Sequence, residues 1–264
     1  MNINITIPTT WNQLTPKQLM EAAYNLEYYH SKPEIYKELK EFRQRLYFQL
    51  TKVLLRNNNF IKTYIAIKQI PPSTYQEHAK FLFGDVTRTL FLPPFKIKGV
   101  TFYPPGDRLK NISIQEFSLA DSLYYNYRNT GDVRYLNNLC ATLYRRGGGD
   151  EVDPRKPFHK ILIENDVHFF RKLKHKKKLA ILYAYLGSRN NIVKLHPHIF
   201  PAPQQLVDPD GKPLPKTESA YVPFVQLLQH KVQFDPSKLT ETYRLNVYEF
   251  FNNYETELVE IQNQ

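Results

Sequence analysis

The chain has 264 residues, 42% hydrophobic and 14% aromatic content, one cysteine and a formal net charge of +11 at pH 7. That much apolar side chain excludes wholesale disorder, one cysteine excludes an internal disulfide, and no apolar run approaches the ~20 residues of a membrane-spanning helix. The length accommodates one large domain or two small ones, and the positive charge makes acidic partners, nucleic acid among them, a class to test.

Ile3, Ile5 and Ile7 alternate with polar residues, which predicts a short N-terminal strand ended by Pro8. The same N-terminus lacks the basic-then-apolar order of a secretory signal, so a soluble cytoplasmic product is expected. Thr15-Pro16-Lys17-Gln18 opens a helix to about Tyr29: a hydroxyl cap, proline in the first turn, and Gln at capping-box spacing. A second helix is expected from about Ser31 to Leu55, where Ile35, Leu39, Phe42, Leu46, Leu50 and Val53 recur at three- or four-residue steps. Residues 60–70 read equally as helix or strand. A short helix over 73–83 follows, and then Phe95–Ile97 and Val100–Tyr103 flank Lys98-Gly99 as a β-hairpin.

Ser113-Ile114-Gln115-Glu116 repeats the capping-box spacing of Thr15–Gln18, and 15–29 and 113–127 align at Leu19/Phe117, Ala22/Ala120 and Tyr29/Tyr127. The reading is a mainly α, multi-helix fold with two related helical modules: residues 1–110 with the hairpin, and 111–264 with a basic and an acidic helix, the two open to being one continuous domain. Asp132 is expected to cap a helix running to Arg145-Arg146, and the glycine- and proline-bearing stretch 147–157 reads as a linker or mobile loop. Leu179, Leu182, Leu186 and Val193 mark another helix, residues 201–215 a proline-rich exposed loop or small hairpin, and helices are expected over 222–231 and 239–261. The last carries Glu241, Glu249, Glu255, Glu257 and Glu260 on one side.

No catalytic pattern emerges. His196-Pro197-His198 offers two imidazoles where zinc needs three or four ligands, and Cys140 lies in an apolar helical stripe that predicts an inert thiol. Gly147-Gly148-Gly149 lacks the Gly-Lys-Ser/Thr run of a phosphate loop. No cofactor or metal is expected. The strongest charge signal is Arg171, Lys172, Lys174, Lys176, Lys177 and Lys178, a block suited to phosphates or to an acidic partner surface. Tyr28, Tyr29, Tyr124, Tyr125 and Tyr127 are candidate protein-interface anchors. The acidic last helix offers the basic block a complement, within the chain or between copies, which favours self-association or the steering of a partner.

Four segments carry a family resemblance: Trp11-Asn12-Gln13-Leu14-Thr15, Asn111–Phe117, Leu139-Cys140-Ala141-Thr142-Leu143-Tyr144-Arg145 and Asn246–Phe251. The chain resembles proteins of Bacteroidetes phages and prophages that look like chaperone-like tail-assembly proteins. The resemblance implies a non-enzymatic morphogenesis protein that contacts phage tail or other virion proteins, in the host cytoplasm or in the virion. It carries no catalytic residues. The alternative from charge is a nucleic-acid-binding module using the 171–178 block.

Overall fold

The structure, a computed structural model, describes residues 5–32, 40–56, 59–201, 224–233 and 235–263. Helices dominate: α1 (Pro16–His30), α2 (Lys40–Leu55), α3 (Phe60–Gln69), the short α4 (Tyr75–Ala79), α5 (Ile114–Thr130), α6 (Val133–Leu143), α7 (Lys160–Arg171), α8 (His175–Leu195), α9 (Phe224–Lys231), α10 (Pro236–Arg244) and α11 (Val247–Gln262). One antiparallel sheet joins β1 (Phe95–Ile97), β2 (Val100–Tyr103) and β3 (Arg145–Arg146) in that order. None of these helices is long and apolar enough to cross a membrane.

Helix α8 explains the architecture. Every residue from Lys178 to Tyr185 is buried, so this stretch is covered on all sides and forms the axis of the core. α1 packs along it through Leu19, Ala22, Ala23 and Leu26, and Trp11 sets its ring 5.6 Å from that of Tyr183. The buried apolar cluster runs from Trp11 to Phe251 and draws on both halves of the sequence. The resembling segments are packing devices. Trp11 and Leu14 enter the core, Asn12 Oδ1 accepts from the Thr89 amide at 2.9 Å, and Thr15 Oγ1 caps α1 by accepting from the Gln18 amide. The buried Arg88 closes this corner by donating from Nη1 to the carbonyls of Trp11, Asn12 and Leu14. In the third segment Leu139 to Tyr144 are all buried.

Several expectations are corrected. Residues 5–9 are irregular, and the rest of the expected N-terminal strand lies outside the described residues, as do 33–39 of the second helix and 202–215 of the proline-rich loop. Residues 60–69 are helical, opened by Asn59 Oδ1 accepting from the Ile61 amide. The helix begun at Asp132 ends at Leu143 instead of reaching the arginines. Tyr144 is extended (φ −103°, ψ 110°) because its hydroxyl donates to the buried Leu92 carbonyl at 2.8 Å, and Arg145-Arg146 become an edge strand on β2. Helix α7 was not anticipated, although Ile163, Val167 and Phe170 have helical spacing and are buried. The single helix expected over 239–261 is two, broken at Leu245. There the Leu245 carbonyl accepts from the Ile114 amide and the Val247 amide donates to Ile112, while Asn246 caps α11.

The second capping box is only half used. Ser113 Oγ accepts from the Glu116 amide at 3.2 Å, but the Glu116 carboxylate turns into the interior. There it meets Arg145 Nη1 and Arg155 Nη1, each at 2.7 Å. Arg155 is also clamped by Asp153 through Nε and Nη2, and it donates to the Leu143 and Asn111 carbonyls. The stretch 147–157 is therefore a folded loop, closed by the Gly147–Arg155 bridge and pinned by a fully buried guanidinium. Gly149 is required there, since a Cβ would overlap the Asp153 and Arg155 carbonyl oxygens.

Candidate functional site: a basic groove

A groove of about 1050 Å³ opens where α1, the β1–β2 hairpin and the α7–α8 corner meet. Helix α1 presents Lys17, Met20, Glu21 and Tyr24, residues spaced to share one face. Arg56 enters from the end of α2, Lys96 and Lys98 from the hairpin, and Lys172, Lys174, His175, Lys176 and Lys177 from the corner. Eight Lys and Arg side chains thus surround one carboxylate, Glu21.

Local geometry sharpens the charge. Lys174 is the N-cap of α8, a 21-residue helix, and its side chain makes no cap hydrogen bond. The positive end of the helix dipole already lies here, and cations placed on it are locally unfavourable unless an anion joins them. Lys176 is held by Glu21 at 2.6 Å, with Arg56 at 3.7 Å from the same carboxylate. Lys177 stands on the Phe95 ring, 3.4 Å from its centroid, and burial lowers its pKa. Lys172 is also pushed below the usual lysine value, by the Lys98 side chain and its charge beside it. Among the described residues, Lys17, Lys96, Lys98, Lys172 and Lys174 form no salt bridge.

The hairpin contributes strain as well as charge. Lys98 (φ 50°) and Gly99 (φ 83°) occupy both central turn positions with positive φ, the two-residue turn that matches strand twist. A lysine in that region is uncommon and costs about 1 kcal/mol or more. The turn therefore holds an ammonium over the groove at some expense to stability.

The predicted block divides. Lys172, Lys174, Lys176 and Lys177 line the groove. Arg171 is exposed but not among the lining residues, and its carbonyl accepts from Lys178 Nζ at 3.4 Å. Lys178 is buried and donates to Asn137 Oδ1 at 2.6 Å, so it is a core residue and not a surface contact. Sequence reasoning missed Lys17, Arg56, Lys96 and Lys98, whose convergence depends on tertiary structure; the only local signal was lysine at alternate positions of the hairpin.

The tyrosines also separate. Tyr28 is 48% exposed, Tyr127 is buried, and Tyr29, Tyr124 and Tyr125 are half-buried. Tyr29 packs edge-on against Phe83, and Tyr124 lies 5.7 Å from the Tyr185 ring. Tyr28 borders a hollow of about 590 Å³ that adjoins the groove and shares Tyr24 and His175 with it.

The other candidate groups do not assemble a reactive centre. Cys140 is fully buried and its thiol pKa is pushed up to about 12 by burial. His196 is buried and stacked on Phe251, whereas His198 is exposed near Gln262, so the two imidazoles face different surroundings. Among the described residues no group of three or more His, Cys, Asp or Glu side chains could hold a metal ion. No protein-family model matches the sequence, and no curated protein or solved structure matches it.

Proposed function

We propose that this chain is a non-catalytic binding protein whose basic groove takes the phosphate backbone of nucleic acid. One observation supports the reading most: eight cationic side chains from four separated regions of the sequence meet around one carboxylate, at the positive end of the central helix. Neutralising phosphates there releases counterions, which makes affinity salt-dependent and largely independent of sequence. Five lysines without salt-bridge partners among the described residues, at ~0.7 per phosphate on a single strand, predict a log–log salt slope of roughly −3.5. Filter binding across a salt series is the test. Lys172→Gln with Lys174→Gln should weaken binding and flatten the slope, while Glu21→Gln, which releases Lys176 and Arg56, should tighten binding. Affinity that ignores salt and all three substitutions refutes the proposal.

A second reading, an assembly role among phage tail or virion proteins, rests on the motif resemblance. Exposed Ile61 and Tyr64, three residues apart on α3, are surface that such a partner would cover. Co-purification with tail-tube or tape-measure proteins tests it, and Ile61→Ser with Tyr64→Ser should abolish the association.

A further inference from the structure

Two hollows meet along one face of α1. The basic groove ends at Tyr24 and His175, and those same residues begin the second hollow, which continues to Tyr28, His30 and Arg128. Tyr24 and Tyr28 are four residues apart, so their rings lie on one side of the helix, and they are 38% and 48% exposed. An ammonium lies over one face of each ring: Lys176 is 4.7 Å from the Tyr24 centroid and Lys32 5.0 Å from that of Tyr28. An aromatic ring and an ammonium therefore occur together twice beside the groove lysines that form no salt bridge among the described residues, and a nucleotide, with its base and its phosphate, would meet both.

Spacing decides between a single strand and a duplex. Four helical residues advance about 6 Å along the axis, whereas bases in one duplex strand follow at about 3.4 Å and are sealed in the stack. Rings carried by residues with that axial rise suit a strand whose bases are separated from one another rather than the closed stack of a duplex. The hollow beyond the rings also has the polar groups to meet base edges. Glu27 there accepts from Arg128 Nη1 at 2.5 Å and from the Tyr183 hydroxyl at 3.2 Å, which fixes a guanidinium and a carboxylate at the wall.

From this continuity we infer that the site is specific for single-stranded nucleic acid, with the backbone in the basic groove and successive bases stacked on Tyr24 and Tyr28. The inference rests on the phosphate-binding reading and adds the strand class and the stacking residues. Stacking on an aromatic ring tolerates any base, so selectivity is for strandedness and not for sequence.

The test uses the full chain and fluorescence anisotropy with a labelled oligo-dT, an oligo-U of equal length, a DNA duplex, and inorganic polyphosphate as a phosphate-only probe. Oligo-dT and oligo-U should bind at least tenfold more tightly than the duplex. Tyr24→Leu with Tyr28→Leu should lose at least tenfold for both single strands and nothing for polyphosphate, with phenylalanine at both positions restoring binding. Circular dichroism of the leucine and phenylalanine variants establishes that each is folded. Equal affinity for duplex and single strand, or leucine variants that bind single strands as well as the parent, overturns the stacking inference and leaves the groove reading standing. Failure of all four probes to bind overturns both.

Discussion

Glu116→Gln separates two readings of one residue. From sequence, Glu116 is the distal half of a capping box, and losing a cap costs about 1 kcal/mol. In the fold its carboxylate lies between Arg145 and Arg155, with 2.7 Å to each, and the three side chains are 1%, 8% and 0% exposed. The amide would leave two buried guanidiniums facing a single carboxylate, Asp153, at 2.8 Å from Arg155 and 3.5 Å from Arg145. Burial already pulls the Arg145 pKa down, with the Arg155 charge adding to it, and Glu116 is the main opposing influence. Breaking a buried pair by removing one partner costs about 3–5 kcal/mol. At roughly 2–4 °C per kcal/mol for a chain of this size, Tm should fall by about 6–20 °C. Urea unfolding followed through the fluorescence of Trp11, the sole tryptophan and a buried one, measures the loss. Ser113→Ala supplies the cap-only comparison and should cost about 1 kcal/mol. If Glu116→Gln costs no more than Ser113→Ala, the buried network does not hold the 147–157 loop and the reasoning fails.

Gly187→Ala should destabilise, although alanine normally improves a helix interior by about 1 kcal/mol: a Cβ there would meet the Arg88 carbonyl and lie 2.5 Å from its nitrogen. A loss of about 1–3 kcal/mol in urea unfolding is expected, and a gain would show that α8 does not approach the Arg88 strap so closely. Lys98→Asn should move two quantities in opposite directions, raising stability by up to about 1 kcal/mol because asparagine accepts positive φ, and weakening anion binding by removing a groove charge. Parallel changes in both would contradict the assignment. Cys140 gives a pH signature, because its folded pKa of about 12 lies above its unfolded value of 9.0. The folded state keeps a proton that the unfolded state releases, so this contribution is complete below pH 9 and is lost as pH rises toward 12, at up to about 1.4 kcal/mol per pH unit. Stability profiles of the parent and Cys140→Ala should therefore diverge above pH 9, and profiles that stay parallel would place the thiol in water.

Legibility in the sequence followed the range of the interaction concerned. Helix α1 was readable because its cap, its proline and its apolar spacing are all local, and the hairpin because Lys98-Gly99 admits few backbone solutions. The break at Leu245 was not, since no glycine or proline lies beside it and Asn246 becomes a cap only once the chain has turned; the turn is held by pairing with Ile112 and Ile114, more than a hundred residues away. The same holds for Arg145-Arg146, which suit a helix end by local rules but are drawn into strand pairing and ion pairs. Half of the basic groove was visible as the run after Arg171. The other half, Lys17, Arg56, Lys96 and Lys98, is unremarkable in sequence and becomes a site only when α1, α2 and the hairpin close on α8. Lys178 shows the converse: the charge run includes it, but the helix turns it inward to Asn137.

Lysine acetylation footprinting, with and without a saturating single-stranded oligonucleotide, tests the groove most directly. Lys96, Lys98, Lys172 and Lys174 should each become protected, in proportion to oligonucleotide bound, while exposed Lys62 and Lys68 on α3 react at unchanged rates. Uniform protection of exposed lysines over the whole surface, or none at these four while the oligonucleotide is bound, would contradict the account.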